Sequence, residues 1–136
     1  MIIKEFISET NKNQMISTLL KYYKVGSVKL RYKSMKDYAH FDVDRGTLQL
    51  STKYKSVKPN QIKDFLITIL HEIYHAMDAK KYGWKKFKEM YEREMNYQIS
   101  QGKHQYRDNQ FELEAEKFGQ DNWKKWHKRF KKEGLI

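Results

Sequence analysis

From Ile62 to Met77 apolar side chains recur at Ile62, Phe65, Leu66, Ile69, Leu70, Ile73 and Met77, the three-four spacing of a helix with one buried face. Pro59 stands just ahead of it, where a first helical turn tolerates a missing N–H. The helix is predicted to run to about Lys81 and to stop before Gly83. Set into the middle of this segment, the most apolar helix of the chain, are His71, Glu72 and His75. Two unpaired imidazoles and a carboxylate are costly to bury without a purpose. Whatever the chain folds into must therefore cover one face of this helix and give its polar residues partners.

The spacing suggests which partner. In His71-Glu72-Ile73-Tyr74-His75 the two histidines lie on one helix face, one turn apart, and can bite a single ion. Neutral imidazole suits zinc. The chain has no cysteine, so disulfides, thiol nucleophiles and Cys-type zinc sites are excluded, and any zinc must be held by His and carboxylate. Glu72, directly after the first His, is placed to reach a metal-activated water without ligating the metal, as a general base must. A catalytic zinc needs a third protein ligand and one open position. Downstream, Phe111-Glu112-Leu113-Glu114-Ala115-Glu116-Lys117-Phe118-Gly119 supplies three carboxylates, and Glu112 and Glu114 would face differently on a helix. His104, in the polar stretch before them, is another possible ligand or a surface residue.

The rest of the chain supplies a frame. Met15, Ile16, Leu19, Leu20 and Tyr23 predict a helix from about Thr10 to Lys24, capped by Thr10 or Asn11 and ended by Gly26. Ser27 to Lys33, Tyr38 to Asp44 and Thr47 to Thr52 alternate as strands, with a turn at Asp44-Arg45-Gly46, and predict a small, mostly antiparallel meander. Trp84, Phe87, Tyr91 and Met95 mark one face of a helix from Trp84 to about Ser100. A polar loop from Gln101 to Asn109 and a helix from about Gln110 to Lys132 complete it. With 136 residues, one proline and no repeat, the chain reads as a single α+β domain over 1–136.

The two motifs together resemble the gluzincins, zincin metallopeptidases whose third ligand is a Glu on a later helix, in patterns close to E-x-x-x-D or E-x-x-A-x-x-F-A. The minigluzincins and ImmA/IrrE-like peptidases have about this length and element order, and the resemblance covers roughly Ser27 to Gly119. It implies a minimal zincin-like domain binding one Zn2+ through His71, His75 and Glu112. By the same pattern Ala115 lets two helices approach closely, and Glu116 orients a ligating His. His104, Tyr106 or Tyr97 would supply the hydrogen bond to the transition state. The implied activity is hydrolysis of peptide bonds, with an extended protein or peptide substrate added as a strand to the sheet edge at Leu48, Gln49 and Leu50. A fainter likeness to SprT-like proteases lies in Gly83-Trp84-Lys85-Lys86-Phe87, but Tyr82 stands where their third His would be.

Lys and Arg outnumber Asp and Glu by 28 to 17, a net charge of +11. Such an excess favours a nucleic acid or an acidic partner, through steering more than specificity. Much of it lies in a C-terminal helix, about 120–133, where Trp123, Trp126 and Phe130 form one stripe among Lys124, Lys125, Lys128, Arg129, Lys131 and Lys132. The simpler reading packs that stripe on the core with its cations at the helix end. The functional one makes it a phosphate-contacting helix or an anchor on an acidic surface, and single-strand binders, which also interleave basic and aromatic residues, require a groove that one helix does not establish. The alternative to a peptidase is thus a basic nucleic-acid-associated or protein-binding module on a zincin scaffold with a structural metal, which would have no use for Glu72. No apolar run nears the roughly 18 residues of a membrane span, and Met1-Ile2-Ile3-Lys4-Glu5 has none of the parts of a signal peptide. The chain is accordingly expected to be a cytoplasmic monomer.

Overall fold

Helix α1 (Glu9–Tyr22) opens the computed structural model, which describes residues 6–26, 28–35, 39–42 and 46–136. Its cap is Ser8, whose hydroxyl accepts from the Asn11 N–H at 3.1 Å, and not Thr10 or Asn11 as expected. Nor does Gly26 end it. Lys24 takes the left-handed conformation (φ 60°), and the Val25 N–H reaches back to the Leu20 carbonyl at 2.8 Å. The Lys80 ammonium donates to the Lys24 carbonyl at 2.6 Å.

Strands β1 (Lys29–Lys33), β2 (Ala39–Asp42) and β3 (Thr47–Ser51) form one sheet in the order β1-β3-β2. Strand β3 runs parallel to β1 and antiparallel to β2, so the sheet is mixed, and the expected mostly antiparallel meander is overturned. The residues explain the order. Thr47, Leu48, Leu50 and Ser51 are all buried, as suits a strand flanked on both sides, whereas Lys29, Arg31 and Lys33 give β1 the charged character of an edge. Leu48, Gln49 and Leu50 therefore do not form a substrate-binding edge. Gln49 stands between Arg31 and His40 in the ladder, and among the described residues the free edges belong to β1 and β2. Ser27, Tyr38, Val43, Asp44 and Arg45, assigned above to strands or a turn, lie outside the described residues.

After β3 the chain makes a 3-10 turn at Thr52–Lys55 instead of extending the strand. Lys12 holds that turn. Its buried ammonium donates to the carbonyls of Tyr54 and Lys55, both at 2.8 Å, and desolvation lowers its pKa. A second 3-10 turn, Pro59–Gln61, leads into α2 (Ile62–Tyr82). Gly83, at φ 88°, redirects the chain into α3 (Trp84–Ser100), and Trp84 stacks on Phe41 of β2 at 5.6 Å. Helix α4 (Gln110–Lys132) begins at Asn109, whose side chain accepts from the Phe111 N–H at 2.9 Å. Phe65, Leu66, Ile69 and Leu70 of α2 are fully buried and share one core with Met15, Leu19, Leu48, Leu50, Phe87, Trp126 and Phe130. No helix among the described residues is long and apolar enough to cross a membrane.

Helices α2 and α4 pack against each other most extensively. A Cβ built on Gly119 of α4 would lie 2.9 Å from the Ile67 carbonyl oxygen and 3.2 Å from Ile67 Cγ2. Ala115, one turn earlier, is fully buried at the same face. Gly119→Ala must therefore push backbone away from backbone, and is expected to lower stability by about 1–3 kcal/mol in chemical denaturation. Gly26→Ala, where an added methyl meets nothing within 4 Å, should be close to neutral in the same measurement.

Candidate metal centre

The close crossing of α2 and α4 brings three donors together. His71 and His75 present their rings from α2 with centroids 5.0 Å apart. Glu112, near the N-terminus of α4, places Oε1 2.7 Å from His71 Nε2 and 2.8 Å from His75 Nε2. One donor atom from each residue lies within 4.8 Å of the others. Glu114 is directed elsewhere: it accepts from the Tyr74 hydroxyl at 3.4 Å and from Gln110 Nε2 at 3.2 Å. Of the two carboxylates that the sequence left in competition, Glu112 is the one beside the histidines.

Two further residues hold the cluster. Glu116, one turn along α4, lies with Oε2 3.1 Å from His71 Nδ1. The Tyr91 hydroxyl, from α3, donates to Glu112 Oε2. In the sequence Tyr91 stands out only as part of an apolar helix face. Nothing in its spacing distinguishes a hydroxyl that reaches a ligand from one that reaches solvent. Burial, and then the Glu112 carboxylate, raise the Tyr91 pKa, so it stays a donor. His75 Nδ1 is buried without a partner, and so is Asp78 Oδ2, three residues on along the same helix.

The hydrogen-bond roles test whether a cation fits. With its Nδ1 proton given to Glu116, neutral His71 turns the lone pair of Nε2 toward Glu112 Oε1, itself an acceptor. Two lone pairs at 2.7 Å need a proton or a cation between them, whereas neutral His75, whose Nδ1 has no partner, can carry its proton on Nε2 and donate it to the same oxygen at 2.8 Å. Without metal, protonation meets the demand. Burial works against a charged His71 ring, but the Glu112 hydrogen bond and the Glu72, Glu112 and Glu116 carboxylates overcome it and hold the pKa up at about 9. Burial would likewise raise Glu112, yet the hydrogen bonds from His71 and His75 hold it far below the usual carboxylate range. Two nitrogens and one carboxylate oxygen converging from two helices are also the donor set that zinc takes, with a position left open.

Glu72 is only 4% exposed, its Oε2 has no hydrogen-bond partner, and burial pushes its pKa upward. It lines two clefts. The larger, about 780 Å³, is the more polar of the two and includes His71, Lys53, Asp64 and Glu116. The smaller, about 300 Å³, includes His75, Glu112, Phe41, Phe87, Tyr91 and Met95. Among the described residues, Tyr106 is the other one common to both. Strand β2 walls both clefts, Ala39 facing the larger and His40, Phe41 and Asp42 the smaller, so the sheet edge beside the site is β2 and not β3.

His104 lines neither cleft. Its Nδ1 accepts from the backbone N–H groups of Tyr106 at 3.1 Å and Arg107 at 3.0 Å, and its own N–H donates to Asp108 Oδ2 at 2.8 Å. The ring holds the loop before α4 together, and the structure does not bring it to the clefts beside the cluster. Tyr97 is exposed on α3 and lines neither cleft.

No family model, curated protein or solved structure matches this chain. The residues themselves therefore carry the functional argument.

Two outcomes follow for metal content measured by mass spectrometry and for thermal unfolding. Glu112→Ala should lose bound metal while Glu114→Ala keeps it, and Tyr91→Phe, which frees Glu112 Oε2, should weaken metal affinity about 10- to 100-fold. In chelator-treated protein, folding raises the His71 pKa from 6.5 to about 9. The stabilisation is then present in full below pH 6.5 and is lost as pH rises through about 9. The melting temperature of the metal-free protein should fall over that window, and that of the zinc-loaded protein should not.

Proposed function

We propose that the chain is a zinc-dependent peptidase of gluzincin type, with His71, His75 and Glu112 as ligands and Glu72 as general base. The observation that carries the reading is the pairing of the three-donor cluster with a buried carboxylate that takes no part in it. A structural metal site needs the two histidines and Glu112 but has no use for Glu72, whose burial with an unpartnered oxygen costs free energy. The resemblance of the two sequence motifs to gluzincins points the same way.

Zinc held by these residues supplies Lewis acidity, lowering the pKa of water toward neutrality and polarising a carbonyl. The protein's own groups do the rest. Glu72 accepts the proton of the attacking water and passes it to the leaving amine, a task helped by a carboxylate whose pKa burial has raised. Glu116 keeps the His71 ring oriented, and Tyr91 keeps Glu112 oriented. We assign to Tyr106, which lines both clefts, the hydrogen bond to the developing oxyanion. An extended peptide passing over Glu72 would occupy both clefts and pair along β2, whose backbone groups are tolerant of side-chain sequence.

The test is cleavage of a peptide library by zinc-loaded protein and by Glu72→Gln. Glu72→Gln is expected to retain one zinc and to lose at least about 100-fold in cleavage rate. Equal cleavage by wild type and Glu72→Gln, or metal bound by a folded wild type that cleaves nothing, would leave the alternative of a basic binding module with a structural metal.

A further inference from the structure

The aromatic stripe of α4 is not a surface feature. Trp126 and Phe130 are buried in the core and Trp123 is partly buried against it, so the stripe packs inward and leaves no broad apolar face for a membrane to take up. Its cations are arranged around something else. Between the end of α1 and the second half of α4 lies a hollow of about 230 Å³ lined by Tyr22, Lys125, Trp126 and Arg129. Tyr22, the last residue of α1, is 54% exposed, and its ring meets Trp126 edge-on at 4.9 Å. The Lys125 ammonium sits 5.3 Å from the Tyr22 ring centre and 5.6 Å from that of Trp126, and the Arg129 guanidinium lies 5.1 Å from Trp126. Arg129 Nε also donates to Glu133 Oε1 at 2.8 Å, while Lys125 makes no ion pair among the described residues. Lys21 and Lys24 flank one wall and Lys124 and Lys128 the other, all exposed.

A single basic helix is a solvated surface. Here Tyr22 adds a second wall, and the result is a concave site with an exposed ring beside the Lys125 ammonium and the Arg129 guanidinium on the same lining. That combination selects among anions. An acidic peptide matches the charge but gives the ring no flat partner. A duplex matches the charge but keeps its base faces stacked inside. A single strand presents phosphates and free base faces together. We propose that this hollow is a docking site for single-stranded nucleic acid, with phosphates on Lys125 and Arg129 and a base against Tyr22. The net charge of +11 would draw such a strand in from a distance. The hollow lies about 20 Å along α4 from Glu112 at about 1.5 Å per residue, so the site is separate from the metal centre and stands or falls independently of the peptidase reading.

Fluorescence anisotropy with the full chain and a labelled oligo-dT tests this, with a duplex of the same length and poly-glutamate as competitors. Oligo-dT is expected to bind more tightly than either competitor. Its log K should fall with log salt at about −0.7 per phosphate contact, and Lys125→Ala should make that slope shallower by about this amount. Tyr22→Ala should weaken oligo-dT about five-fold or more without changing poly-glutamate binding, and Tyr22→Phe should restore it. Both residues are at the surface, and far-UV circular dichroism checks that the variants remain folded. Poly-glutamate competing as well as oligo-dT would assign the hollow to an acidic protein, and equal binding of the duplex would leave no role for the ring. Either result overturns the proposal, as would binding indifferent to both Tyr22→Ala and Lys125→Ala.

Discussion

The close approach of α2 and α4 is the constraint on which the rest of the site depends. Four residues of α4 at helical spacing, Glu112, Ala115, Glu116 and Gly119, are turned toward α2. Two of them are small and let the backbones meet, with Gly119 so near the Ile67 carbonyl that no side chain fits between. The other two are carboxylates, and the short separation lets one oxygen of Glu112 address both imidazoles while Glu116 takes the far side of His71. A wider crossing would keep the same residues and lose the cluster. The apolar part of the same interface supplies the energy for this arrangement: Phe65, Leu66, Ile69 and Leu70 are buried with Trp126 and Phe130, and their burial offsets the desolvation of the polar residues set among them.

The remainder of the fold arranges what surrounds that crossing. Helix α3 delivers Tyr91 to the free oxygen of Glu112 and Phe87 to the wall of the smaller cleft. Strand β2 borders both clefts, and the turn held by buried Lys12 contributes Lys53 and Tyr54 to the larger one. Buried polar atoms left without partners gather here as well, at Glu72 Oε2, His75 Nδ1 and Asp78 Oδ2. Orphans of that kind are uncommon in a folded interior, and functional sites are where such costs are tolerated.

Much of the helical frame was legible in the residues, because three-four apolar spacing is a strong local signal. The long helix from Ile62, the helix from Trp84 to Ser100 and that from Gln110 to Lys132 stand close to where the periodicity puts them. The sheet was less legible. Strand alternation identifies short extended segments but carries no information on which strand lies between which, and the insertion of β3 between β1 and β2 made the sheet mixed and left β2, not β3, as the sheet edge beside the clefts. The α1 cap was misplaced for a related reason: Ser8, Thr10 and Asn11 are all good caps, and choosing among them needs the backbone geometry.

By itself, the sequence determined the chemistry available to this protein: two histidines one helical turn apart, a carboxylate between them, no thiol, and three glutamates on a later helix. Those are local facts, set by residue type and by the 3.6-residue period. Only the tertiary structure decided which glutamate meets the histidines, that Tyr91 holds it, that His104 serves the loop, and that Tyr22 turns a basic helix into one wall of a hollow. Each of those outcomes joins residues far apart in the chain. Their meeting depends on how closely and at what angle packed elements cross, a quantity that no single element's sequence contains.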